Sequence, residues 1–234
     1  MSVLVEMAKL QATETQRATC QLGIGAIYFC MRSCEYLLVP QSEKKRTDIV
    51  RLRNIILKRN NKILRHDDPH LEYADSVTIV FEKQKKDEKS DKVTQHKTHH
   101  VLMNPPRIWA AIVKRIRSYP GSSDDTPVSA VWRNNRIEHI TGQEMIAAID
   151  RAALAIGYDN LGLKRGDFGT HSIRSGGAMA MALDDLPPYS IMMIGRWSTD
   201  TFMKYIRRQV DMFTHNIATR MNKHMSYRVI ATVG

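Results

Sequence analysis

Residues 170–176 read THSIRSG, and 176–183 continue GGAMAMAL. Thr170 is a good helix N-cap, so the stretch predicts an ordinary buried helix. His171 and Arg174, three residues apart, fall on one face near the positive end of that helix. A helix of small apolar residues with two phosphate-seeking side chains at its start is the feature the rest of the sequence has to explain.

The chain has 234 residues, enough for one domain of good size, and 43% are hydrophobic, enough for a core. Lys and Arg number 35 against 24 Asp and Glu, a net charge of +11. An excess of that size points to a polyanion as partner, most often nucleic acid. The three cysteines, Cys20, Cys30 and Cys34, fit neither a disulfide framework nor a zinc pattern, and read as reduced thiols in an intracellular protein. The N-terminus has neither the basic lead-in nor the apolar run of a secretory signal, and no stretch is long and apolar enough to cross a membrane. EKKR at 43–46 fits a nuclear import signal, although clusters this short arise by chance.

The expected class is mainly α with a small antiparallel β-sheet. The apolar run 18–40 predicts one buried helix stopped by Pro40. Residues 55–64 predict a hairpin turning at Asn60–Asn61, 76–83 a strand, 84–91 a charged turn and 92–98 a return strand. Helices are expected over 105–121, over 141–157 behind a Thr141/Glu144 capping box, after Thr170, over 188–195 and after Ser198. Residues 120–140 read as a loop or linker.

Taken singly, the polar residues have plain explanations. Tyr205 packs on an amphipathic helix, His171 is a hydrogen-bonded structural residue and Arg174 a salt-bridge partner. Lys83, Lys85 and Lys86 form a solvated hairpin tip. Arg32, ending an apolar helix, would be costly to bury unpaired, and Glu35 is the obvious partner. HKTHH at 96–100 lies in strand and loop without a carboxylate, so no metal site is expected.

Their order is less ordinary: Arg in an apolar helix, Lys in a hairpin, His-x-x-Arg opening a later helix, then IGRW at 194–197 and a Tyr ten residues after its Gly. This order resembles the catalytic domain of the tyrosine recombinase (phage integrase-type) family over about residues 20–215. The wording of GTHSIRSG and IGRWSTDTFMKYIR is similar to recombinases carried by eukaryotic mobile elements, which would place the chain in the nucleus. RSCEYL matches the family's first box at Arg32 and Glu35, with Tyr36 displacing its Leu by one, while Ser175 replaces the His that usually follows His-x-x-Arg. Counting back from Tyr205 puts Arg196 at the family's His/Trp position, and Trp197 carries the right chemistry one residue later. Trp197 is preferred, with Arg196 open. The family's separate N-terminal DNA-clamping domain has no counterpart here, so residues 1–234 are expected to be one catalytic domain.

The resemblance implies breakage and rejoining of duplex DNA without cofactor or metal. Arg32 and Arg174 would hold the scissile phosphate through paired planar donors, and His171 would add a donor or take the tyrosine proton. Tyr205 would attack to give a 3′-phosphotyrosine. Trp197 would pack near the phosphate. A hairpin lysine, Lys85 with Lys83 and Lys86 behind it, would protonate the leaving 5′-oxygen. The basic runs 51–65 and 107–117 are expected to contact phosphates. Self-association on DNA would accompany synapsis of two sites. A type IB topoisomerase-like enzyme and a non-catalytic DNA-binding remnant of a mobile element are the alternative readings.

Overall fold

The computed structural model describes residues 2–9, 13–39, 47–82, 90–197 and 203. Its centre is helix α2 (Glu14–Ile27), preceded by α1 (Ser2–Lys9). A capping box opens α2: the Gln16 N–H donates to Thr13 Oγ1 (3.2 Å) and the Thr13 N–H to Gln16 Oε1 (3.1 Å). Almost every residue from Ala18 to Ile27 is buried.

The apolar run 18–40 is not one helix. It stops at Ile27 because Cys30 adopts a left-handed backbone (φ 44°). The Met31 N–H then reaches the Ala26 carbonyl (3.1 Å), and the Cys30 N–H that of Ile27 (3.0 Å), the paired bonds of a Schellman cap. The chain leaves extended at Arg32 and re-enters a short helix, α3 (Ser33–Tyr36). Arg32 therefore stands in the break between two helices.

The sheet forms as expected, with strands β1 (Ile55–Arg59), β2 (Lys62–Leu64), β3 (Ser76–Phe81) and β4 (Asp91–His96) in the antiparallel order β2-β1-β3-β4. Asn60 and Asn61, both at positive φ (49° and 62°), make the two-residue turn between β1 and β2. Register is fixed between β3 and β4, where Thr78 and Thr94 face each other with their hydroxyls 2.8 Å apart.

Helix α4 (Pro105–Arg117) packs on this sheet and on α2. Its Trp109 is fully buried, meets Phe29 edge-on at 5.9 Å and donates from Nε1 to the Gly25 carbonyl (3.3 Å). Residues 120–140, expected as loop, contain a second hairpin of β5 (Ala130–Arg133) and β6 (Arg136–His139). Its turn, Asn134–Asn135 at φ 53° and 57°, repeats the chemistry of the first. Helices α5 (Gly142–Ile156), α6 (Tyr158–Leu161), α7 (Ser172–Leu183) and α8 (Pro188–Gly195) follow, and α5 lies along α1. No helix among the described residues is long and apolar enough to cross a membrane.

Thr170 is not the N-cap of α7. The helix starts at Ser172, whose hydroxyl accepts from the Gly169 N–H (3.0 Å), and His171 directly precedes it. Inside α7, Gly177 presses onto the end of α2: a Cβ there would lie 2.5 Å from the Ile27 carbonyl oxygen and 2.7 Å from Cys30 Sγ. At Gly176 the nearest atom to such a Cβ is Ile27 Cδ1 at 3.5 Å, an ordinary contact. The small residues of GGAMAMAL are there for helix packing, and Gly177 is the position that sets it. Gly177→Ala must push α7 off α2, at about 1–3 kcal/mol for overpacking. Thermal unfolding should show a midpoint lower by roughly 2–12 °C, with Gly176→Ala close to wild type.

Candidate active site

Glu35 is the centre of the site. It is fully buried, and its carboxylate takes three donors. Oε2 accepts from the Arg32 backbone N–H (2.7 Å) and from Arg196 Nη2 (2.6 Å); Oε1 accepts from Arg32 Nη1 (2.8 Å). The backbone bond follows from Glu35 being the third residue of the stretch that opens α3, where a carboxylate naturally reaches back to an unsatisfied amide.

Arg174, on the first turn of α7, is only 3% exposed. Its Nη1 donates to the Cys30 carbonyl and its Nη2 to the Gly195 carbonyl (2.7 Å). The Trp197 ring lies over the guanidinium, 4.1 Å from Cζ to the ring centroid. Burial, then the nearby Arg32 charge, pull the Arg174 guanidinium down to about 10, so it stays charged at neutral pH. Gly195 is required for this stack, since a Cβ there would lie inside the Trp197 ring.

Arg32 and Arg174 are far apart in sequence, yet they grip consecutive carbonyls of one turn: Arg32 Nη2 reaches that of Arg196 (3.4 Å) and Arg174 Nη2 that of Gly195. The Arg32 side chain keeps 27% of its surface exposed. Among the described residues, three guanidinium groups, Arg32, Arg174 and Arg196, surround the one carboxylate of Glu35, three positive charges against one negative.

Trp197 and Arg196, the two occupants considered for the His/Trp position, differ sharply in placement. Trp197 is half-buried against Arg174. Arg196 points inward from a left-handed backbone (φ 56°), with its side chain 2% exposed. His171 is exposed at the entrance to α7, and its carbonyl accepts from the Ser175 N–H (3.0 Å). The hydroxyl of buried Tyr36 donates to the Thr170 carbonyl (3.0 Å), tying α3 to the residue before His171. Sequence reading passed over Tyr36 as a displaced leucine; its phenol, in an otherwise apolar setting, was the available signal.

Lys83, Lys85, Lys86 and Tyr205 lie outside the described residues. Their chain neighbours are placed. Phe81, where β3 ends before the lysines, carries the Arg196 guanidinium over its ring at 3.6 Å. Met203, two residues before Tyr205, packs with Trp197 against Ala178 and Ile191.

Most of the basic runs expected to contact phosphates are already engaged within the protein. Arg53 pairs with Glu82 and Asp125, Arg65 with Asp67, Lys114 with Glu72 and Arg117 with Asp124. Arg115 donates to Tyr119 Oη and the Ala130 carbonyl. Arg59, Lys62 and Arg107 are exposed, and so are Arg53 and Arg65 despite their pairs. In HKTHH, His100 Nδ1 accepts from the Leu102 and Met103 amides, a loop-closing role. Among the described residues no group of three or more His, Cys, Asp or Glu side chains is arranged to hold a metal ion.

No protein-family model and no curated protein matches the sequence. Solved structures do match in fold. The XerH site-specific recombinase bound to its difH substrate, in a pre-cleavage complex, superposes with a TM-score of 0.55 at 15% identity, over 91% of this chain and 49% of that one. The same recombinase in a post-cleavage complex with palindromic difH gives 0.55 at 14%, over 93% and 51%. The chain thus spans about half the length of the structures it matches. The fold, mostly helical with a small antiparallel sheet, is similar to that of tyrosine recombinase catalytic domains.

Tyr36→Phe removes the hydroxyl and leaves the Thr170 carbonyl without its buried donor, at about 1–3 kcal/mol. Amide exchange should speed up at the start of α7 more than in α4, which hydrogen-exchange mass spectrometry can read. Uniform exchange changes across the protein would contradict a local tie.

Proposed function

We propose that this protein breaks and rejoins duplex DNA through a covalent phosphotyrosine, as a recombinase or integrase. The observation that carries the reading is the pair Arg32 and Arg174, brought from distant positions to consecutive carbonyls of one turn, with Trp197 stacked on one of them and positive charge in excess. A phosphodiester under attack gathers negative charge on its two non-bridging oxygens, and planar guanidinium forks placed beforehand meet that charge at low cost.

In this reading Tyr205 is the nucleophile. Its phenolic oxygen bonds to phosphorus as the bond to the 5′-oxygen breaks, which leaves a 3′-phosphotyrosine on one DNA end and a 5′-hydroxyl on the other. The phenol has an ordinary pKa of about 10 and needs help to ionise. His171, exposed beside Arg174, takes its proton. Lys85, with Lys83 as the alternate, delivers a proton to the leaving 5′-oxygen. The contact between Phe81 and Arg196 supports the lysine assignment, since it brings the end of β3 to the arginine cluster. The packing of Met203 against the Trp197 cluster supports Tyr205 in the same way. Attack by a 5′-hydroxyl reverses the step and conserves the phosphodiester bond. Trp197 is assigned to the His/Trp position, because it lies on the Arg174 guanidinium while the Arg196 side chain is buried.

Incubation with supercoiled plasmid DNA, stopped in detergent, should yield a protein–DNA adduct that survives EDTA. Tyr205→Phe should bind DNA as wild type and give no adduct; undiminished adduct from Tyr205→Phe, or loss in EDTA that magnesium restores, would overturn the mechanism. DNA affinity should fall steeply between about 50 and 200 mM salt as counterions are released. Lys85→Ala should lose on the order of 10²–10⁴ in cleavage rate, and a 5′-bridging sulfur, which leaves without a proton, should restore it. Rescue of Lys83→Ala instead would move the acid to Lys83. Formation of a Holliday junction from two labelled duplexes distinguishes recombination, with self-association on DNA, from relaxation by a type IB topoisomerase-like enzyme.

A further inference from the structure

Arg196 is buried like Arg174, with 2% of its side chain exposed. Nη1 donates to the carbonyls of Phe29 (2.9 Å) and Ile194 (3.2 Å), and Nη2 to Glu35 Oε2 (2.6 Å). The guanidinium lies over the Phe81 ring, and Nε is buried with no hydrogen-bond partner among the described residues. The backbone is left-handed, a conformation that costs a non-glycine residue free energy. Both of its Nη groups are thus engaged within the protein.

Its contacts converge on Arg32 from two sides. Through Nη2 it fixes the Glu35 carboxylate that pairs with the Arg32 guanidinium and backbone. Through its own carbonyl it accepts directly from Arg32 Nη2. We propose that Arg196 is a positioning residue for Arg32: it divides the charge of Glu35 between two guanidinium groups and fixes the carboxylate's orientation. Arg32 thereby keeps both its aim and a share of positive charge for a phosphate. Without Arg196, Glu35 keeps one side-chain cation among the described residues, and the cluster loses one positive charge. The phosphate role of Arg32 rests on the function proposed above; the ordering of Arg32 by Arg196 does not.

The test compares wild type, Arg196→Met, Arg196→Lys, Glu35→Gln and the double variant Glu35→Gln/Arg196→Met. On supercoiled plasmid DNA, Arg196→Met should lower the maximal rate of adduct formation by on the order of 10–10²-fold, with the half-saturating DNA concentration within about twofold of wild type. Arg196→Lys, which keeps a charge for Glu35, should recover part of that loss. The double variant should be no slower than Arg196→Met alone, since both changes act through one carboxylate. A raised half-saturating concentration at an unchanged maximal rate, or losses that multiply in the double variant, would overturn the proposal.

A second measurement needs no catalysis. The Arg32 side-chain Nε–H resonance in ¹⁵N NMR, assigned by its loss in Arg32→Lys, should be a single sharp signal in wild type. It should broaden or shift in Arg196→Met, and less so in Arg196→Lys. An Arg32 signal indifferent to both substitutions would overturn the positioning role whether or not the protein cuts DNA. Absence of any adduct from wild type beside an altered Arg32 signal would reject the enzymatic reading and leave the positioning role standing. Should Arg196→Met fail to fold, Arg196→Lys carries both measurements.

Discussion

The site depends on one buried carboxylate. Three arginines of like charge do not gather in a protein interior unless something compensates them, and removing a guanidinium from water is costly unless its donors are matched. Glu35 matches two of them directly. The remaining compensation comes from the C-terminal end of α2 and the turn after it. The last carbonyls of a helix lack partners within the helix, and the helix dipole makes that end negative. The Cys30 carbonyl takes Arg174, and the Phe29 carbonyl takes Arg196. The cluster is therefore seated on a helix terminus whose Schellman cap presents those carbonyls.

Close packing sets the geometry around that seat. Gly177 lets α7 approach the end of α2, which brings Arg174 onto the Cys30 carbonyl. Gly195 leaves room for the Trp197 ring over the same guanidinium. Tyr36 joins α3 to the residue before His171. Phe81 links the end of β3 to the cluster through Arg196. Four segments distant in the chain thus meet at the Arg–Glu network, and displacement of any one would disturb the aim of the others.

The parts legible in the sequence were those with local signals. Asn60–Asn61 marked the first hairpin, the Thr141/Glu144 box marked α5, and Arg32 with Glu35 at three-residue spacing announced their own ion pair. What escaped had weak local signals or depended on distant partners. The break after Ile27 occurs at Cys30, which fills the left-handed position without the usual glycine. The second hairpin was hidden in a polar stretch, although Asn134–Asn135 repeats the turn already recognised at Asn60–Asn61. Arg196 read as a loop residue competing with Trp197, because its partners Phe29, Glu35 and Phe81 lie more than 100 residues upstream. The ion pairs of the basic runs were not legible either, because several of their carboxylates, among them Glu82, Asp124 and Asp125, lie elsewhere in the chain. Lys83, Lys85, Lys86 and Tyr205 were singled out by order alone and lie outside the described residues.

The central claim is that the arginine cluster holds a DNA phosphate for attack by Tyr205. A crystal structure of the protein with a nicked duplex and orthovanadate, whose five-coordinate vanadium imitates phosphorus under attack, tests it most directly. The account predicts vanadium bonded to the Tyr205 phenolic oxygen, with Arg32 and Arg174 within about 3 Å of its equatorial oxygens. Vanadium bonded to a different side chain, or held away from both arginines, would contradict it.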